Sequence, residues 1–463
     1  MKTKTIAIAA GCAVLLGGCS FAPEVKVPTP ELPERVVSDA TTSSVDAAWW
    51  QRYDDPVLSG LIDEALHNSD DLKVSVAKLA EAEALLGLSE SNRYPTLDAG
   101  ASAGRQKTSG ETLSPFGGIA YSTYKLSANA AYEIDLWGRL KNLRESAYAQ
   151  YRASAADRDT VRLSLICGVA EAYINLISIN RQIVLIEEKK ELYAEEYDYR
   201  KRQAQFGEID PLIVEQARSL YANADVSLEG LVESRRLAQN ALAMLIGRSP
   251  KAMGEEGFAI RTGFPNLLPI PTILPSEVLN RRPDIRSAEE MLRASNANIG
   301  AVKASYFPSI SLTGNVGLES TQLGHLMQNS ASFWGIGPSL TLPVLDFGRI
   351  DNQVKNAEAQ REGYSLTYAK TVKNAFKEVY DSLHKIDASK RKIAAQEEAL
   401  DAYRKVSDLA RIRYESGYVD YLNLADARVN LLNAQQNAIL LDAEMFINQI
   451  TLYKALGGGW KGD

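Results

Sequence analysis

The sequence predicts a mixed α and β chain made of two tandem strand-strand-long-helix repeats, and three observations carry that prediction. Residues 138–206 form a run of 69 without proline and with one interior glycine, Gly168. Along it Leu165, Val169, Ala172, Leu176, Ile179, Ile183 and Ile186 alternate in steps of four and three, the seam of a packed helix. At about 1.5 Å per residue such a helix is on the order of 100 Å long. Residues 348–416 repeat the design, with a seam at Ala369, Val372, Phe376, Val379, Leu383 and Ile386. The second observation is a switch from helical period to period two before each long run. The third is a fixed offset of 210 that carries Gly138 onto Gly348, Gly207 onto Gly417, Ala217-Arg218 onto Ala427-Arg428, Gln239 onto Gln449 and Gly247 onto Gly457. Chance matches do not keep register over such a length.

The chain opens with a targeting segment over 1–18. Lys2 and Lys4 precede an apolar stretch, Ile6 to Leu16, too short for a membrane-spanning helix of about 20 residues. Leu16-Gly17-Gly18-Cys19 resembles the bacterial lipobox, which implies a covalent lipid on Cys19. Ser20 after it, by the same resemblance, points to the outer membrane. Residues 19–55 read as a lipidated tether, with Pro23, Pro28, Pro30 and Pro33 keeping it extended. Trp49-Trp50 and Asp54-Asp55-Pro56 open the folded part.

The first repeat, 56–246, begins with a short and a longer helix up to Ser91. Strands follow at about 94–105 and 121–135. In the second of these Tyr124, Leu126, Ala128, Ala130, Tyr132 and Ile134 alternate with Lys125, Ser127, Asn129, Ala131, Glu133 and Asp135, a half-buried strand by pattern. The long helix 138–206 and a return helix 212–246 complete the repeat. An irregular, proline-rich equatorial segment covers 247–282. The second repeat, 283–457, has a helix opening at Pro283, strands at about 307–318 and 332–343, a long helix 348–416 and a return helix 420–456. A tail, 458–463, ends the chain.

The strands dictate an assembly. Four strands with an apolar face and two open edges cannot sit in lipid, where each unpaired backbone group costs several kcal/mol. Bacterial barrels use eight strands or more, so several chains must share one, and three copies supply twelve strands. The expected fold is therefore a trimeric 12-strand outer-membrane β-barrel continued by a periplasmic α-helical barrel. Two other readings remain open at this point. The strands could form a soluble sandwich inside the protein, or the seams a coiled-coil scaffold without a pore.

Composition excludes several functions. A formal charge of −7 with no Lys/Arg block speaks against nucleic-acid binding. No P-loop, dinucleotide fingerprint, nucleophile elbow or zinc-type Cys/His spacing is present, so neither an enzyme nor a metal site is expected. His67, His325 and His384 stand alone and read as surface or packing residues. Cys167 falls in the helical seam and reads as a small buried side chain. Trp137 and Trp334 flank strands and suit either a membrane interface or packing.

The lipobox, the duplicated design, Leu279-Asn280-Arg281-Arg282-Pro283-Asp284-Ile285, Phe307-Pro308-Ser309-Ile310-Ser311-Leu312 and Ala455-Leu456-Gly457-Gly458-Gly459-Trp460 together resemble the TolC-type outer-membrane factors. The likeness is to their lipoprotein branch, the NodT family of tripartite RND efflux systems. It implies a homotrimeric, passive efflux duct in contact with outer-membrane lipid. It also implies two protein partners, a periplasmic adaptor (membrane fusion) protein and an inner-membrane RND-type pump. A type I polypeptide-secretion channel has the same design. The family's gate pattern falls on Arg413 and Tyr414, followed by Gly417, with its two acidic positions at Asn423 and Asp426. Asn423 departs from it, so Asp426 alone would supply a ring of three carboxylates in a trimer, favouring cations. A carboxylate paired with a nearby arginine is the other reading of Asp426. Gly207 and Gly417 would turn the helical tips that the resemblance exposes to the adaptor. Asp210 and Asp420 beside them fit helix N-caps.

Overall fold

The computed structural model of the chain describes residues 21–24, 28, 48–111, 117–249, 251–252, 261, 263–270, 278 and 281–460. The targeting segment, Cys19, most of the tether, Leu279 and Asn280 lie outside the described residues. In chain order the elements are α1 (Pro56–Asn68), α2 (Asp70–Ser91), β1 (Thr96–Lys107), β2 (Ala120–Ile134), α3 (Arg139–Gln205) and α4 (Pro211–Leu245). The second half holds α5 (Pro283–Lys303), β3 (Ser309–Ser320), β4 (Ser332–Thr341), α6 (Arg349–Glu415) and α7 (Tyr421–Ala455). Both long helices have 67 residues and both return helices 35. The offset of 210 maps their ends onto each other without a slip.

The four strands form one antiparallel sheet in the order β1-β2-β3-β4. The sheet thus crosses the repeat boundary, with β2 paired to β3. Its register brings every apolar alternation onto one face. Leu126 stands between Ala101 and Leu318, Ala128 between Ala99 and Val316, and Trp334 and Ile336 follow opposite Val316 and Gly314. A slip of one residue on any strand would send that strand's apolar set to the other side. Leu97, Val316, Trp334, Ile336 and Leu340 on this face are more than half exposed. An exposed apolar face is what a lipid-facing wall needs and what a sandwich core lacks. The other face carries the rows Asp98–Asn129–Asn315 and Ser102–Lys125–Glu319, a surface suited to water. Among the described residues the outer edges of β1 and β4 have no partner.

Each strand pair is joined to its long helix by a matched device. The Asp135 carboxylate accepts from the backbone N–H groups of Leu140 (3.1 Å) and Lys141 (2.8 Å). Asp346 accepts from Gly348 (3.0 Å) and Ile350 (2.9 Å). Gly138 and Gly348 take the left-handed backbone, φ 72° and 82°, that lets the chain turn there.

The chain divides into two compact units that cut across the repeats. One contains the sheet, with Lys78–Ala155 and Ser287–Ala369. The other contains Pro30–Ala77, Ala156–Arg286 and Lys370–Asp463. Its core is where the two seams are spent: Val169, Leu176, Ile183 and Ile186 of α3 are buried, as are Val372, Val379 and Ile386 of α6. Cys167 is buried beside the first seam, and burial pushes its thiol up. Trp49 is fully buried and stacks on Tyr453 at 4.9 Å. The buried Asp55 carboxylate caps α1 through the N–H groups of Val57 and Leu58 and accepts from the Tyr173 hydroxyl at 3.0 Å. Gly247 and Gly457 close the two return helices in the left-handed conformation, and a side chain there would run into the carbonyls of Asn68 and Arg281 respectively.

The facing of the sheet is testable. Ile336→Arg, on the apolar face, should lower the stability of the membrane-inserted protein by about 2–4 kcal/mol, read by denaturant titration in bilayers. Asn129→Lys, on the polar face, should change it by less than about 1 kcal/mol.

Candidate functional site

The long helices reverse through two turns of the same construction. At the first, the N–H groups of Gly207 and Glu208 donate to the carbonyls of Ala204 and Gln203; at the second, Gly417 and Tyr418 donate to Tyr414 and Arg413. Gly207 and Gly417 have φ 73° and 75°, the left-handed cap that ends a helix without strain. Asp210 then accepts from the Leu212 N–H (2.8 Å) and Asp420 from the Asn423 N–H (3.0 Å). Both aspartates are N-caps, each starting its return helix. Phe206, Leu212, Tyr418 and Leu422 around these turns are exposed.

Behind the turns the two hairpins share a core of Tyr193, Ala217, Leu220, Ala224, Tyr421, Leu424 and Ala425. Set into it is an arginine that the sequence reading did not single out. Arg200 is 9% exposed. Its guanidinium lies 4.8 Å from the ring of Tyr414 and 5.1 Å from that of Tyr421, within range for cation–π attraction. It donates to Gln203 Oε1 at 2.9 Å and to Glu196 Oε1 at 3.3 Å. The second oxygen of Glu196 contacts Arg428 of α7. One carboxylate therefore ties two guanidinium groups, one from each repeat, in a nearly dry environment. Neither Tyr193 nor Tyr421 finds a hydrogen-bond partner for its buried hydroxyl. Burial raises both phenols, and Tyr421 reaches about 12 although Arg200 pulls it down.

Of the four residues expected at the gate, the structure draws Tyr414 into this cluster, with its ring 5.6 Å from that of Tyr421. Arg413 is exposed. The amide nitrogen of Asn423 donates to Asp420 at 2.5 Å. Asp426 is exposed and has neither an ion pair nor a side-chain hydrogen bond among the described residues, while its neighbours Leu424, Ala425 and Ala427 are buried. His67, His325 and His384 lie at the surface. Trp137 packs, donating to the Pro308 carbonyl at 2.8 Å, and Trp334 stays 79% exposed on the apolar sheet face. Among the described residues no group of His, Cys, Asp and Glu could hold a metal ion.

The cluster falls where the repeats differ. Under the offset of 210, Arg200 corresponds to Ala410, Glu196 to Val406, Tyr414 to Ala204 and Tyr421 to Pro211. That departure is the signal in the sequence by which it could have been found. Arg428 does have a counterpart, Arg218, but Arg218 is exposed and pairs with Glu215 on its own helix.

The pattern of the outer membrane efflux protein family matches residues 61–248 and 274–458. The probable efflux pump outer membrane protein TtgC of Pseudomonas putida is 32% identical over 99% of this chain and 96% of its own length. The cation efflux system protein CusC of Escherichia coli is 32% identical over 97% of both chains. Among solved structures, the Campylobacter jejuni CmeC outer membrane channel superposes with a TM-score of 0.91 at 26% identity, covering 96% of each chain. The open state of the Neisseria gonorrhoeae MtrE outer membrane channel gives 0.83 at 32% identity, covering 96% of this chain and 99% of its own.

The buried tyrosine gives a pH prediction. Its folded pKa lies above the unfolded value near 10, so the stability that burial of the neutral phenol contributes is complete below pH 10 and is lost as pH rises towards 12. Tyr421→Phe should remove that alkaline loss. Because no partner is forfeited, it should leave stability at pH 8 unchanged or raised by about 1 kcal/mol. Thermal melts followed by helical circular dichroism at pH 8 and 11 measure both effects.

Proposed function

The chain belongs to the outer membrane efflux protein family, and we propose that its helical tip is the valve of the channel, held shut around Arg200 and lined by Asp426. The protein is the outer-membrane channel subunit of a tripartite efflux system. It works as a homotrimer with a periplasmic adaptor protein and an inner-membrane pump, spanning the outer membrane as a β-barrel and extending into the periplasm as a helical barrel. Within that role the reading is of a passive duct: it catalyses no reaction, and movement of substrate is driven by the pump. Cys19 carries the lipid anchor.

One observation carries the valve reading. Asp426 is a free carboxylate on the exposed side of a helix whose opposite side is clamped in the tip core. Three such carboxylates around a pore repel one another and attract cations, while the clamp keeps them close. Tyr414 and Arg200 belong to the clamp, and Arg413 and Asn423 to the water-facing surface next to it. The exposed apolar residues at the turns, Phe206 and Tyr418 above all, suit contact with the adaptor around Gly207, Asp210, Gly417 and Asp420.

Single-channel recording in planar bilayers tests this directly. The parent trimer should be mostly closed and cation-selective. Asp426→Ala should open more readily and lose much of its cation preference. Arg200→Ala leaves Glu196 and Arg428 in a broken network, a loss of about 3–5 kcal/mol when one partner of a buried pair is removed. It should therefore raise the open fraction while keeping the selectivity of the parent. Pores indifferent to both substitutions would leave the duct intact and take the valve away from these residues.

A further inference from the structure

The loop that leaves β4 repeats the loop that leaves β2, but without the surface that seats it. Under the offset of 210, Trp137-Gly138-Arg139 corresponds to Phe347-Gly348-Arg349. Trp137 stacks on Phe307 with ring centroids 4.8 Å apart and donates to the Pro308 carbonyl. Phe347 is 91% exposed and holds a left-handed φ of 53°, which L side chains rarely adopt. Its flank is bare as well, with Val344 88% and Leu345 75% exposed. The strands differ in the same way. β2 runs to Ile134, which is paired with Ile310 of β3. β4 ends at Thr341, short of Val344, the counterpart of Ile134.

The missing surface exists at the opposite edge of the sheet. Under an offset of 213, Tyr94-Pro95 before β1 corresponds to Phe307-Pro308 before β3. The same turn leads into both. The Tyr94 N–H donates to the Ser91 carbonyl (3.0 Å) and the Phe307 N–H to that of Ala304 (3.1 Å). Phe307 is covered by Trp137, while Tyr94 is 70% exposed. In the order β1-β2-β3-β4 the two outer strands stand three spacings apart, on the order of 14 Å. Phe347 and Tyr94 therefore meet only across a seam between copies.

We propose that Phe347 of one copy packs on Tyr94 and Pro95 of the next, and that this contact sets the register in which copies join. Applying both offsets to the pair Ile134–Ile310 places Val344 opposite Leu97 of the next copy. Leu342 then stands opposite Ala99 and Leu340 opposite Ala101, so apolar residues meet apolar residues across the seam. A slip of one residue would mix the two faces. A slip of two would not, so alternation alone does not choose between those registers. The aromatic contact does. Its consequence is global, because a slip repeated at every seam changes the stagger of the closed barrel, and stagger fixes strand tilt and width. The contact presupposes the homotrimer and a barrel closed through β1 and β4.

Cysteine pairs in the full-length protein, in isolated outer membranes, read the register. Residues directly opposite on antiparallel strands have Cα atoms about 4.5–5.5 Å apart, within reach of a disulfide, and diagonal pairs beyond about 7 Å are not. Positions 101 and 340 lie on opposite edges of one sheet, so a disulfide between them joins two copies. After oxidation, Leu340→Cys/Ala101→Cys should give several-fold more covalent oligomer than Leu340→Cys/Ala99→Cys or Leu340→Cys/Ala103→Cys. Cys167 is buried, and single-cysteine variants supply the background. A slipped pair that links better would overturn the register. A double-mutant cycle between Phe347→Ala and Tyr94→Ala, read by heat dissociation of the SDS-resistant trimer, tests the contact itself. Loss of one aromatic contact corresponds to roughly a two- to tenfold change in an equilibrium. Each single substitution should lower the trimer fraction by about that factor and the double no further, while Phe347→Trp should hold or raise the parent value. Losses that multiply would mean that each ring meets lipid on its own, and would overturn the contact, as would no loss at all. A parent that stays monomeric under chemical crosslinking would overturn the homotrimer instead.

Discussion

The constraint on which the rest of the structure depends is the pair of open edges at β1 and β4. A backbone N–H or C=O left unpaired in hydrocarbon is too costly to keep, and one chain has too few strands to close its own barrel. The outward face of the sheet is apolar along its length, so the sheet cannot avoid lipid either. The edges must therefore meet the edges of other copies, and trimerisation becomes a condition of folding in the membrane rather than a later association. The β2–β3 pairing follows from the same need. It joins the two hairpins of one chain into a single four-stranded panel, leaving two edges per chain to be closed instead of four.

Helices meet their own version of this constraint more easily, because an α-helix satisfies its backbone internally. What remains to be matched is side-chain burial along a single seam. The seams of α3 and α6 are buried where they run through the second unit, and polar residues occupy the other faces. Helices of that kind can line a water-filled tube because only part of each circumference needs an apolar neighbour. The glycine turns at 207 and 417, and the aspartate caps beyond them, let each long helix reverse with its terminal backbone groups satisfied.

Much of this was legible in the sequence because it is periodic. The seam positions, the two faces of each strand, the turn glycines and the N-caps are local patterns, and the structure places them as such. The order of strands was not legible. Alternation says which face a residue takes and nothing about which strand stands beside it. Arg200 was hidden for a related reason. It opens the run Arg200-Lys201-Arg202, which in isolation reads as a solvated helix surface. Only when Tyr414 and Tyr421 arrive from the other repeat, more than 200 residues away, does that one arginine lose its water.

The break in repeat symmetry at the tip has a physical reading of its own. Were the two hairpins of each chain alike, a trimer would present six equivalent turns, and no pair would be distinguished as the one to hold or release. Replacing Ala410, Val406, Ala204 and Pro211 of the copied pattern by Arg200, Glu196, Tyr414 and Tyr421 ties α3 to the α6–α7 hairpin by charge and aromatic contact. Such a tie is strong while dry, because buried charges that lose their partner are poorly compensated. It weakens as soon as water enters, because water can then solvate Glu196 and both arginines separately. The buried, unpartnered hydroxyls of Tyr193 and Tyr421 act in the same direction, since they too gain hydrogen bonds on wetting. A contact built this way resists small displacements and yields to large ones, which is the behaviour a valve needs and a permanent structural joint does not.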